Sequence, residues 1–106
     1  MNPKPVVYRQ RARRDIAEAR GRYLSEASAA LALRFIDALE LAFERMGEHP
    51  ASGSPRYASV LGIPGLRSWN VTGFPYLVFA VEEEAVINVW RILHAASDIA
   101  AWLQEE

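Results

Sequence analysis

The sequence predicts an α+β domain, a two-layer fold in the order β-α-α-β-β-β-α with a helical hairpin packed on an antiparallel sheet. Three observations carry that reading. Apolar residues recur every three or four positions between residues 11 and 46, the period of a helix face. From Leu66 onward the pattern changes to runs rich in valine, isoleucine and aromatics, broken by short turns. Between the two regimes lies Pro50 to Pro64, rich in proline, glycine and serine and without periodicity.

The elements follow in order. Val6 to Arg9 comes after two prolines that cannot sit inside a helix and reads as a short strand. From Arg11 to about Leu24, Ala12, Ile16, Ala19 and Tyr23 line one helix face while arginines take the other. Ser25 or Ser28 can cap a second helix whose stripe is Ala32, Phe35, Ile36, Leu39, Phe43 and Met46. That helix should end at Gly47 to Pro50, where glycine permits a left-handed cap and proline cannot continue. Pro50 to Pro64 reads as a surface loop. Leu66 to Val71, Tyr76 to Glu82 and Ala85 to Leu93 form a three-stranded antiparallel meander. Ser97 or Asp98 can cap a last short helix that turns Ile99, Trp102 and Leu103 to the core.

A chain of 106 residues, 51% apolar and 24% charged, has the balance of a soluble globular protein and is read as one domain over residues 1–106. Without cysteine it can hold no disulfide, thiolate metal site or cysteine nucleophile, which suits a reducing cytoplasm. No signal-peptide pattern or membrane-length apolar run is present, so a cytoplasmic protein that avoids the membrane is expected. The net charge of −1 hides an asymmetry. Residues 4–22 hold seven cations against Asp15 and Glu18, whereas residues 82–106 hold six carboxylates against Arg91. Such an asymmetry steers acidic partners or nucleic acid to one face, and solvated helix faces also produce it.

The element order, with Gly65-Leu66-Arg67, the run Tyr76-Leu77-Val78-Phe79 and the ending Val89 to Ile99, resembles the ParE branch of the RelE/ParE toxin superfamily, the plasmid stabilisation toxins. Arg67, Tyr76 to Phe79 and Arg91 to His94 fit the pattern, and Ser97 stands where many relatives have arginine. The resemblance implies the toxin of a type II toxin–antitoxin pair. Its expected action is to bind and inhibit DNA gyrase, and its expected partner is a ParD-like antitoxin that neutralises it and alone carries it to DNA. The alternative within the superfamily is a RelE-like, ribosome-dependent mRNA endoribonuclease, and a further one is a non-toxic interaction domain of the same fold.

A nuclease of that kind needs several cations and a proton-transfer group around the scissile phosphate. Where such enzymes resemble one another on the third strand, this chain has Tyr76 in place of an arginine, and its last helix lacks their arginine and tyrosine. Binding without catalysis is therefore expected, with no catalytic residue, metal or cofactor assigned. Arg9, Arg13, Arg67, Arg91 and His94 are the candidate contacts to antitoxin or target. Arg67 and Arg91 serve equally as ion-pair partners of Glu82, Asp98 or a chain terminus. His94 can transfer protons or simply hydrogen-bond where the last strand meets the last helix. Strand alternation puts Arg91 on the face of Val89 and Leu93. Trp69, Trp90 and Trp102 could stack a ligand, but core packing claims at least two.

Overall fold

A computed structural model describes residues 2–104. Strand β1 (Val6–Tyr8) leads into α1 (Gln10–Glu26) and α2 (Ala29–Glu48), then a 3-10 turn (Pro50–Ser52) and a short helix α3 (Arg56–Leu61). Strands β2 (Leu66–Asn70), β3 (Tyr76–Glu82) and β4 (Ile87–His94) follow, and α4 (Ile99–Gln104) closes the described chain. No helix among the described residues is long and apolar enough to cross a membrane.

The hairpin forms as its periodicity dictates. Ala12 and Ala19 of α1 are buried in one cluster with Phe35, Leu39 and Met46 of α2. Ser28 supplies the α2 cap, its Oγ accepting from the Leu31 amide at 3.0 Å. Gly47 does not act as a left-handed cap. It lies within α2, and a Cβ there would come 2.6 Å from the carbonyl of Lys4, whose amide donates to the Gly47 carbonyl. Glycine at this point lets the N-terminal segment lie directly on the helix.

The sheet runs β1-β4-β3-β2. Strands β2 to β4 make the antiparallel meander, and β1 joins β4 in parallel, so the sheet is mixed. A parallel neighbour needs a crossover connection, and the hairpin begins that crossover. One face of the sheet buries Val78, Ala80, Ile87, Val89 and Ile92 beneath the hairpin. The other face is not bare. Leu66, Phe79 and Leu93 pack with Ile99 and Leu103 of α4 and with Tyr57, Ala58 and Leu61 from the segment read as a loop.

A bulge reorganises β4. Phe79 opposes Arg91 while Ala80 opposes Val89, which leaves Trp90 as the extra residue. Alternation is thereby inverted beyond it. Val89 and Ile92 share the hairpin face, and Arg91 shares the opposite face with Phe79 and Leu93, not with Val89. Trp102 also departs from expectation: at 42% exposure it lies outside the core that Ile99 and Leu103 enter.

Candidate functional site

The end of β4 that β1 leaves uncovered is closed by one carboxylate. β1 stops at Tyr8, and the last strand-like bond on that side is Arg9 N donating to Val89 O at 3.0 Å. Beyond it the Ile92 amide donates to Asp15 Oδ2 of α1 at 2.9 Å. Arg91 completes the arrangement: Nε and Nη2 donate to the two Asp15 oxygens at 2.8 and 2.9 Å, and Nη1 donates to the Trp102 carbonyl at 2.7 Å. The side chains of Arg91 and Asp15 are 6% and 9% exposed, so the pair is buried and bidentate. One guanidinium thus ties the strand to the first helix and to the last.

Beside this pair, α1, the end of β4 and α4 enclose a cleft of about 120 Å³. Arg22 Nη1 donates to the Tyr76 hydroxyl at 3.1 Å, and the Tyr76 ring meets His94 edge-on with centroids 5.3 Å apart. The Ala96 amide donates to His94 Nδ1 at 3.0 Å, so that nitrogen presents its lone pair and the proton of the neutral ring sits on Nε2. Tyr23, whose ring lies 6.3 Å from that of Tyr76, has its phenol pKa raised by burial and by Tyr76, against an opposing pull from Arg22. Glu18 and Ser97 also line the cleft. Chemically, the cleft offers hydrogen-bond donors from Arg22 and the imidazole, with one carboxylate, Glu18, not locked into the Arg91 pair.

The other candidates lie apart. Arg9 is the half-buried residue preceding α1, its guanidinium 4.0 Å over the Trp90 ring. Arg13 is exposed, 5.4 Å from the ring of Tyr8, which stacks on Phe43. Arg67 is two strands away on β2, with Nη1 donating to the carbonyls of Gly53 at 2.6 Å and Ala51 at 3.3 Å. Among the described residues neither strand arginine is paired with Glu82 or Asp98, and the chain termini lie outside those residues. Arg67 holds backbone carbonyls, and Arg91 holds Asp15 from 76 residues earlier. The structure therefore gathers Arg91 and His94 with Asp15 and Arg22, which sequence reasoning did not single out, and with Tyr76 and Trp102, which it named in other roles. The one signal for Asp15 was a carboxylate next to the buried stripe of an otherwise arginine-rich turn.

Along α1, Arg13, Arg14, Arg20 and Arg22 are exposed, and no acidic residue occupies its first turn. Cations at the positive end of a helix dipole are unfavourable by roughly 0.3–1 kcal/mol each. Anions drawn to that end would offset the cost.

Comparison with known proteins gives two findings. The family described as the ParE toxin of the type II toxin–antitoxin system parDE matches residues 6–99. Among solved structures, a chain of the chromosomal ParDE toxin–antitoxin system from P. aeruginosa superposes with a TM-score of 0.71 at 15% identity, over 86% of this chain and 95% of that one. At that identity the likeness is one of fold. No curated protein sequence matches the chain.

Proposed function

The chain belongs to the ParE toxin family of type II toxin–antitoxin systems, and from that membership we propose that it arrests growth by binding DNA gyrase and is neutralised by a cognate ParD-like antitoxin. The observation that favours inhibition by occupancy over catalysis is the commitment of Arg91 to Asp15. Its charge is cancelled inside the fold, so that among the described residues lining the cleft Arg22 is the other arginine, short of the several converging cations that phosphodiester cleavage requires. The contact surface is then carried by exposed side chains. Arg13 and its neighbours on α1 would take acidic residues of the antitoxin, His94 would contact partner or target at the end of β4, and Arg67 and Arg91 would hold the frame that presents them.

One arrangement favours the nuclease alternative: Arg22, Tyr76 and His94 share a single cleft. Inducible expression in a bacterial host, with and without the neighbouring small reading frame, separates the two. Supercoiling activity and ribosome-bound mRNA are followed in parallel. Growth arrest relieved by the neighbour, with supercoiling lost and mRNA intact, is the expected result. Cut mRNA with normal supercoiling would place the activity in the cleft instead, and His94→Ala would then abolish it.

A further inference from the structure

On the side of the sheet away from β2, strand β1 has an open edge. Ile87 donates to the Pro5 carbonyl and Arg9 to the Val89 carbonyl, so in this parallel register Val7 turns its backbone toward β4. The amides and carbonyls of Val6 and Tyr8 therefore point away from the sheet. Against this edge, between β1 and α2, runs a groove of about 590 Å³. Its apolar floor includes Val6 and Phe43, and its rim carries Glu40, Glu44 and Glu48.

The three glutamates stand at successive i,i+4 positions on α2 and are exposed. None of them has an ion-pair or side-chain hydrogen-bond partner among the described residues. Like charges at that spacing repel and weaken a helix. The nearest cation on the groove wall, Lys4, is already paired with Glu82 at 2.8 Å and donates to the Glu83 carbonyl. The groove thus combines unsatisfied backbone groups, an apolar floor and an uncompensated acidic rim.

We propose that this groove receives an extended segment of the cognate antitoxin that alternates basic and apolar residues and adds to β1 as a fifth strand. The proposal rests on the toxin–antitoxin reading above. The dimensions agree: Glu40 to Glu48 spans about 12 Å of helix, which about four strand residues cover. Same-face residues of a strand recur every ~6.7 Å, close to the ~6 Å between successive glutamates. Lysine or arginine at alternate positions lays its aliphatic stem over Phe43 and Val6 and brings its head to the rim. The intervening apolar residues fall beside Val7, which is 43% exposed on the other face. The charge sign divides the antitoxin between two surfaces, with acidic stretches on the arginines of α1 and the basic stretch here.

The test is amide hydrogen exchange on the full chain, alone and with the antitoxin from the neighbouring reading frame, together with affinities for Glu40→Lys/Glu44→Lys. Val6 and Tyr8 amides should exchange at least tenfold more slowly in the complex, while Val7, already bonded to β4, serves as the internal control. The double charge reversal should weaken binding at least tenfold and flatten its salt dependence, with the free toxin still folded. Unchanged exchange and affinity in a complex that still forms would overturn the groove assignment and leave the toxin–antitoxin reading intact. No binding by the wild-type chain would remove both. Protection of Val6 and Tyr8 in the toxin alone, growing with concentration, would make the occupant a second copy and overturn the proposal.

Discussion

The two edges of the sheet are finished in opposite ways. At β2 the edge is sealed: Ser54 and Ser68 exchange both backbone bonds at 2.9 Å, Arg67 clamps the Gly53 and Ala51 carbonyls, and Trp69 Nε1 donates to Ser52 Oγ at 3.1 Å. At β1 a strand of three residues stands between Pro5 and Arg9, the residue before α1, with outward backbone groups and an acidic groove alongside. An exposed edge invites pairing, and proteins commonly blunt one by shortening it and flanking it with proline. Here the blunting is partial. The contrast puts structural work on one side of the molecule and, under the groove proposal, recognition on the other.

Five changes test that division. The largest effect is expected at the junction where β1 gives out. Asp15→Ala leaves the Arg91 guanidinium buried without its carboxylate and should cost about 3–5 kcal/mol in denaturant unfolding. A loss under 1 kcal/mol would mean that Asp15 does not close the edge of β4. Arg67→Met removes charged donors from two loop carbonyls and should cost roughly 1.5–3 kcal/mol, with antitoxin affinity unchanged once the fold is intact. Weakened binding at full stability would move recognition to the sealed side.

The two close-packed glycines sharpen the comparison. A Cβ at Gly53 would lie 2.5 Å from the Trp69 ring, so Gly53→Ala should destabilise by about 1–3 kcal/mol. At Gly47 the obstacle is the Lys4 carbonyl on a short N-terminal segment, and alanine gains up to about 1 kcal/mol of helix propensity. Gly47→Ala should therefore push the Lys4 backbone off α2, lower the melting temperature less than Gly53→Ala because helix propensity offsets part of the cost, and weaken antitoxin binding by displacing the groove wall. The smallest effect belongs to Lys4→Ala. Its pair with Glu82 is partly solvated on both sides, 30% and 46% exposed, and its loss should cost under about 1 kcal/mol by thermal melting.

The hairpin and the meander could be read from the chain because each repeats its own period over several turns or strands. Phe35, Leu39 and Met46 fell on the face the spacing assigned to them. Helix α3 could not be read that way, since six residues between Pro55 and Gly62 are too few to establish a period. Its apolar contacts, Tyr57 and Leu61, serve the second face of the sheet. The site was less legible than the fold. Arg91 stood out as a cation on the last strand, but the extra residue at Trp90 puts it on the face opposite Val89, and nothing local marks a bulge there. Its partner Asp15 lies 76 positions away, where only the folded chain brings the two together. The cleft around Tyr76 depends in the same way on α1 crossing the end of β4.

The parallel pairing of β1 with β4 has a consequence for how the molecule comes into being. Val6 meets Ile87, so the first strand synthesised finds its neighbour only when the last one has been made. Contacts of such long sequence separation must overcome loop-closure entropy before they are rewarded, which slows folding. A nascent chain held at the ribosome with β4 still inside the exit tunnel has a hairpin and no completed sheet. Both the cleft and the β1 groove thus take shape only once β4 is free to join β1, late in the making of the fold.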